Sequence, residues 1–99
     1  MVKHIVLFKL KETLSPAEKT DIMNRFKAAI EALPATIPFI RDIHVGLNEN
    51  PAEVWDICLD SSFDTLDDVK AYAIHPAHVA AAGILKGAKE NRACVDYTI

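Results

Sequence analysis

The sequence has little of what marks several common classes of protein. No apolar run approaches the roughly 20 residues that a membrane-spanning helix requires, so a membrane protein is not expected. The formal net charge is −3 and no face of the chain is conspicuously basic, which argues against nucleic acid as a partner. The two cysteines, Cys58 and Cys94, form no Cys-x-x-Cys motif. They are expected to be free, buried thiols in a cytoplasmic protein, since the chain opens on a strand pattern and not on a signal peptide.

The composition is that of one globular domain. Hydrophobic residues make up 51% and charged residues 25% of the 99 positions, which is ordinary for a soluble protein with a single core. A chain of this length can bury a core, although not a large one. We therefore expect a single domain over residues 1–99.

Periodicity and breaker residues predict the order of the secondary-structure elements. Alternating apolar side chains predict strands at 2–10, 39–45, 54–59 and 93–99. The motif Ser15-Pro16-Ala17-Glu18 combines a serine cap, a helix-starting proline and a capping-box glutamate, and it begins a helix that ends before Pro34. Asp64 is predicted to cap a second helix.

The segment Tyr72-Ala73-Ile74-His75-Pro76-Ala77-His78-Val79 interrupts that second helical region. Proline disfavours helical geometry at the residue before it and suits the first position of a new helix. His75 is therefore predicted at the break and His78 in the first turn of a third helix that runs to about Ala88. The helix dipole disfavours a protonated imidazole there. A neutral His78 can serve as a general base or a hydrogen-bond acceptor.

The same segment also permits a purely structural interpretation. His75 can cap the third helix while His78 forms a hydrogen bond within a packed corner. Tyr72 can simply pack its ring and satisfy its hydroxyl inside the protein. Gly83 and Gly87 indicate either a close approach to the sheet or a tight corner, and the sequence leaves these alternatives open.

The predicted element order is β-α-β-β-α-β, with the second helical section broken. This order is typical of an α+β ferredoxin-like plait, in which both helical sections cover one face of an antiparallel four-stranded sheet. Both faces of the strands carry apolar residues, although the helices can cover only one. The residues expected to need a second covering layer are Val6, Phe8, Ile43, Trp55 and Ile57. An exposed apolar face marks an interface, and the simplest solution is a homodimer with two sheets packed face to face.

Three segments together resemble the stress-responsive dimeric alpha/beta barrel (Dabb) family. They are the opening Met-Val-Lys-His-Ile-Val-Leu-Phe-Lys-Leu, the central Tyr-Ala-Ile-His-Pro-Ala-His-Val and the closing Val-Asp-Tyr-Thr-Ile. The resemblance covers essentially the whole chain, and the Tyr-x-x-His-Pro-x-His signature is its most specific part. It implies a dimeric α/β barrel with a cleft beside the His-Pro corner, which binds a small apolar or aromatic ligand and needs no cofactor.

The resemblance also implies roles for particular residues. The family includes plant stress-responsive proteins and a polyketide cyclase that closes its substrate by an intramolecular aldol condensation. The catalytic pair of that cyclase corresponds to Tyr72 and His78, and its supporting aspartate corresponds to Asp96. A first-strand histidine that lines the cyclase site corresponds to His4. A further pocket histidine of the cyclase is replaced here by Ile57, which makes the cleft more apolar.

These residue types suit the chemistry of such a reaction. An aldol closure needs a base to remove a proton next to a carbonyl, and a neutral His78 can do so. It needs a donor where negative charge develops, and Tyr72 has a phenol to offer. Asp96 would hold His78 in one tautomer and orientation. The residues predicted to contact a ligand are His4, Phe8, Ile57 and His75.

Other interpretations remain beside this one. His4 and Asp96 can be satisfied structural residues with no ligand. Similar dimeric barrels include cofactor-independent monooxygenases, which is an analogy of fold alone. A metal site could draw on His75 and His78, yet the two lack the four-residue spacing of a helical histidine pair. His4 and Asp96 could complete such a set of nitrogen and oxygen ligands only if the fold brought all four residues together. No metal is therefore expected.

Overall fold

The structure is a computed structural model that describes residues 1–99. Its elements are β1 (Val2–Leu10), α1 (Pro16–Glu31), β2 (Asp42–Leu47), β3 (Ile57–Phe63), α2 (Leu66–Ile74), α3 (Pro76–Ala82) and β4 (Lys89–Thr98). Short 3₁₀ turns at Leu33–Ala35 and Gly83–Leu85 follow α1 and α3. The strands form one four-stranded antiparallel sheet in the order β2-β3-β1-β4. The predicted α+β ferredoxin-like fold is confirmed.

Three strands start at positions that differ from the prediction. β2 begins at Asp42 and not at 39, because the preceding segment forms turns in which the amide of Ile40 donates to the carbonyl of Ile37. β3 begins at Ile57 and continues to Phe63. β3 starts at Ile57 because this residue pairs with Leu47, the last residue of β2. At its other end β3 extends to Phe63 because it remains paired with β1 over its polar residues. β4 begins at Lys89, four residues early.

The first helix has the predicted cap, whereas the second helix is capped by a different residue from the one predicted. The capping box of α1 is present, since the Ser15 hydroxyl accepts from the Glu18 amide at 3.1 Å and the Glu18 carboxylate accepts from the Ser15 amide at 3.0 Å. The cap of α2 is Thr65, whose hydroxyl accepts from the Asp68 amide, and the prediction of Asp64 is wrong. The Asp64 carboxylate instead accepts two hydrogen bonds from the Arg41 guanidinium.

The core lies between the helices and one face of the sheet. Every second residue of β1 points into it, and the buried set is Val2, His4, Val6, Phe8 and Leu10. The Phe8 ring meets the Phe26 ring of α1 edge to face, with centroids 5.5 Å apart. The α2 side chains Val69 and Tyr72 are buried in the same layer. This layer positions the site described below.

The outer face of the sheet has a different composition from the one expected. Val6, Phe8 and Ile57 are buried on the helix-facing side, and Ile43 packs against the same core. The outer face carries instead the alternate residues of β1 and β4 together with the end of the β2–β3 connection. This outer patch consists of Ile5, Leu7, Trp55, Cys58, Ala93 and Val95. An apolar outer face therefore exists, although only Trp55 of the expected set contributes to it.

Of the two glycines after α3, Gly87 acts through its backbone conformation, whereas Gly83 has ordinary helical dihedral angles. A Cβ atom added at Gly83 or at Gly87 would meet nothing within 4 Å, so neither permits a close approach to the sheet. Gly87 has φ +81°, a left-handed conformation that glycine adopts at little cost. It makes the corner between the second 3₁₀ turn and β4.

The two cysteines are free thiols, as predicted. Cys58 is half-buried, whereas Cys94 is exposed, so the expectation of two buried thiols is wrong for Cys94. β4 is an edge strand with a neighbour on one side only, which leaves its side chains accessible. The helices of the fold are all too short or too polar to cross a membrane.

Candidate functional site

A small cavity lies between the helix-facing side of the sheet and the corner where α2 meets α3. Its volume is about 130 Å³, slightly less than the roughly 150 Å³ of an engineered apolar cavity that holds benzene. Its apolar walls come from Val6, Phe8, Leu59, Ala73, Ala82 and Leu85. Its polar and charged lining consists of His4, Tyr72, His78, Lys89 and Arg92. The structure thus brings together four of the predicted residues, His4, Phe8, Tyr72 and His78.

Tyr72 lines this cavity and carries an unpaired buried donor. The residue is fully buried, and its hydroxyl has no hydrogen-bond partner in the protein. The structural interpretation, in which the hydroxyl is satisfied internally, is therefore wrong. Burial also raises the pKa of the phenol far above its ordinary value of 10, so the group remains a donor at neutral pH. An unpaired buried hydroxyl costs about 1 to 3 kcal/mol.

His78 lies against the Tyr72 ring, with the ring centroids 4.3 Å apart. Its Nδ1 is 3.0 Å from the Ala73 carbonyl. A carbonyl only accepts, so Nδ1 carries the proton in this contact and Nε2 of the neutral ring keeps a free lone pair. Burial is the main cause that lowers the pKa of His78. The direction of this pKa shift agrees with the predicted neutral imidazole, and burial is its largest cause.

His75 and Ile57 do not line this cavity. The His75 Nδ1 accepts a hydrogen bond from the Ala77 amide at 3.1 Å and caps α3, as the structural interpretation expected. Pro76 follows at the first position of α3, and the extended backbone of His75 separates the two helices. Ile57 is buried opposite Phe8 in the β1–β3 pair, and its side chain contributes to the core and not to the cavity wall.

Asp96 is paired with His4 and not with His78. His4 and Asp96 lie directly opposite each other on β1 and β4, and the His4 Nδ1 donates to the Asp96 carboxylate. The Nδ1 of His78 is already engaged by Ala73, so the expected Asp96–His78 contact is wrong. The carboxylate instead holds the His4 ring in place at the cavity wall, where its centroid is 6.1 Å from that of Tyr72.

One cluster has the donor types of a metal site. The His4 Nδ1, the Cys94 Sγ and a carboxylate oxygen of Asp96 all lie within 4.8 Å of one another, and zinc binds nitrogen, sulfur and oxygen donors of these kinds. His75 and His78 are not part of the cluster. The His4 and Asp96 atoms that would bind an ion are hydrogen-bonded to each other, so a metal would first have to separate them.

Two cavity residues were missed by the sequence analysis. Lys89 and Arg92 are exposed residues of β4 that line the cavity, and the predicted strand began after them. The alternation along β4 is the sequence signal that indicates Arg92. This residue stands two positions before Cys94 and four before Asp96, so it lies on the same face of the strand.

The lowered pKa of His78 predicts a specific dependence of stability on pH. The unfolded imidazole titrates near pH 6.5, while the folded one takes up its proton only at lower pH. The unfolded state then binds more protons between these values, so stability is full above about pH 6.5 and is lost as the pH falls toward the folded pKa. His78→Gln should remove this part of the slope in urea unfolding measured across pH.

The same measurement on His44→Gln, whose side chain is 56% exposed and lies outside the cavity, shows how much of the change in slope is specific to His78. Identical slopes for wild type and His78→Gln would contradict the burial argument.

The sheet, the His-Pro corner and the tyrosine–histidine cavity define a ferredoxin-like α+β domain with a small cavity under its broken helix. The chain belongs to the stress responsive A/B barrel domain family (Dabb), which it matches over residues 2–99. The family resemblance noted from the signature segments is thereby confirmed.

Three relatives illustrate the range of similarity. A dimeric protein of unknown function with a ferredoxin-like fold from Bacteroides fragilis is 63% identical, with a TM-score of 0.98 over 99% of this chain and 95% of its own. Olivetolic acid cyclase of Cannabis sativa is 25% identical over 98% of this chain and 95% of the cyclase. The stress-response A/B barrel domain-containing protein HS1 of Arabidopsis thaliana is 26% identical over 97% of this chain and 87% of its own length.

Proposed function

We propose that this protein binds a small apolar or aromatic ligand in the cavity beneath the α2–α3 corner. The observation that carries the proposal is Tyr72, which lines the cavity and whose buried hydroxyl has no hydrogen-bond partner in the protein. Buried polar groups are rarely left unpaired, and an oxygen atom of a ligand would accept this hydrogen bond. The apolar walls would cover the remainder of the ligand.

A second candidate function is acid–base catalysis at the same site. The neutral His78 keeps a free lone pair on Nε2, and its ring lies 4.3 Å, centroid to centroid, from the ring of the protonated Tyr72 phenol. Proton removal next to a carbonyl requires a base and a hydrogen-bond donor of these kinds. In that reaction the Nε2 takes the proton from carbon, and the Tyr72 hydroxyl donates to the oxygen on which negative charge develops. The similarity to olivetolic acid cyclase supports a lyase or cyclase of this type.

We also propose that the protein is a homodimer that covers the outer patch. The patch is apolar in its centre, and the 63% identical relative from Bacteroides fragilis is described as dimeric. A large apolar surface on one face of a sheet commonly marks such an interface. The cavity opens on the opposite, helix-facing side of the sheet.

Thermal unfolding with a panel of small aromatic aldehydes, ketones and phenols tests the ligand proposal. A ligand present at about a hundred times its dissociation constant should stabilise the folded protein by roughly 2.7 kcal/mol, which is a readable shift in Tm for a domain of this size. His78→Gln should weaken or abolish the shift. His44→Gln should retain it, because His44 lies on the strand β2 away from the cavity.

Two results would contradict the proposal. One is a panel in which no compound shifts the wild-type Tm. The other is a compound that stabilises all three proteins equally, since such a ligand would bind elsewhere. Turnover of any carbonyl compound that binds, measured for wild type and His78→Gln, would then decide between simple binding and acid–base catalysis.

A further inference from the structure

We infer that the ligand of this cavity carries a carboxylate, which Lys89 and Arg92 hold at the mouth while the apolar part enters. The inference rests on the proposed function, because it names the chemical class of the ligand of that site. The expected class is a small aromatic or short-chain acid with a carbonyl or hydroxyl oxygen at its far end.

The size of the cavity requires part of any larger ligand to remain at the mouth. A volume of about 130 Å³ holds a body close to benzene in size. A substituent beyond a single ring therefore meets the residues at the rim. Those residues include Lys89 and Arg92 of β4, both exposed.

The two rim residues are the only side chains with a permanent charge around the cavity. No carboxylate lines it, and neither Lys89 nor Arg92 takes part in an ion pair within the protein. Nearby carboxylates are already engaged, because Glu90 pairs with Lys9 and Asp96 pairs with His4. The local positive charge stands out in a chain whose formal net charge is −3. A concave site lined by one sign of charge favours a ligand of the opposite sign.

Both cations are held by the sheet in positions that suit a ligand. Arg92 lies directly opposite Phe8 in the β1–β4 pair, on the helix-facing side. The Lys89 Nζ stands 6.0 Å from the centroid of the Phe8 ring, within reach of a cation–π contact, and this ring forms part of the cavity wall. A guanidinium can bind a carboxylate through two parallel hydrogen bonds. An acid whose ring packs against Phe8 would therefore meet both cations.

The interior of the cavity requires a different group from the mouth. The Tyr72 hydroxyl is a hydrogen-bond donor without an acceptor in the protein. The His78 Nδ1–H already donates to the Ala73 carbonyl. A neutral oxygen suits this end, because a buried carboxylate beside a neutral imidazole would lack a compensating cation. The acid group is thus directed outward and the neutral oxygen inward.

Isothermal titration with matched pairs of ligands tests this inference. We would use 4-hydroxyphenylacetate, 4-hydroxybenzoate and phenylpyruvate, each beside its methyl ester, at low salt. At least one acid should bind wild type about ten-fold or more tightly than its ester, which corresponds to about 1.4 kcal/mol. Arg92→Gln should lose this preference. Added salt should weaken it, because exposed charges are screened.

The control variant is Lys70→Gln, which removes an exposed cation of α2 that does not line the cavity. It should keep the preference for the acid. If acids and esters bind equally well to wild type, the proposed function stands and the carboxylate inference is overturned. If no acid or ester binds, the carboxylate inference is overturned, and the proposed function is decided by the thermal-unfolding panel of aldehydes, ketones and phenols. A preference for the acid that survives in Arg92→Gln would place the anion elsewhere and also overturn the inference.

Discussion

Tyr72→Phe is expected to raise the free energy of unfolding of the ligand-free protein by about 1 to 3 kcal/mol, the cost of an unpaired buried hydroxyl. Removal of a buried tyrosine hydroxyl ordinarily destabilises a protein, because it breaks a hydrogen bond. Here the hydroxyl is buried and has no partner, so phenylalanine removes a penalty and keeps the ring contacts with Phe63 and His78. Urea unfolding of both proteins without ligand measures the difference.

The same substitution should weaken ligand binding. A hydrogen bond between protein and ligand contributes about 0.5 to 1.5 kcal/mol, so the dissociation constant should rise by roughly three- to ten-fold. A gain in stability combined with a loss of affinity is the signature of a residue that is kept for function at the expense of the fold. Substitution of a residue with a purely structural role would not raise the free energy of unfolding while it lowers the affinity for the ligand.

The other tyrosine of the chain supplies the control. Tyr97 on β4 is 46% exposed and does not line the cavity, so Tyr97→Phe should leave the affinity for a cavity ligand unchanged. Destabilisation by Tyr72→Phe would show that its hydroxyl has a partner in solution. Unchanged affinity of a cavity ligand would remove Tyr72 from the binding site.

Val95→Glu is expected to dissociate the proposed homodimer. Val95 lies in the outer patch and is 53% exposed in the protomer. An unpaired carboxylate buried in an apolar interface costs about 3 to 5 kcal/mol, which corresponds to a dimer weakened by roughly a hundred-fold or more. Size-exclusion chromatography with light scattering should report a dimer for wild type and a monomer for the variant over a range of concentrations.

Val79→Glu is the matched control, because Val79 is a similarly exposed valine, at 56%, on α3. It lies away from the outer patch and should leave the dimer intact. A wild-type monomer, or a Val95→Glu dimer, would place the interface elsewhere. Because the cavity is on the opposite side of the sheet, Val95→Glu should also retain ligand binding if the partner contributes nothing to the site.

The sequence by itself determined those features that depend only on residues close together along the chain. The order of elements, the capping box at Ser15 and the break at His75-Pro76 all follow from local backbone chemistry, and the structure shows each of them. The neutral state of His78 was also predictable in direction. Its cause was not, because the burial that lowers the pKa comes from packing of the α2–α3 corner onto the sheet.

Only the tertiary structure decided which groups meet. Alternation along a strand separates its residues into two faces, but it does not say which face the helices cover. Val6 and Phe8 were for that reason placed on the outer face when they belong to the core. Strand register set the partner of Asp96, since β1 and β4 place it opposite His4. The lack of a partner for the Tyr72 hydroxyl depends on every neighbour around it, and no local pattern contains that information.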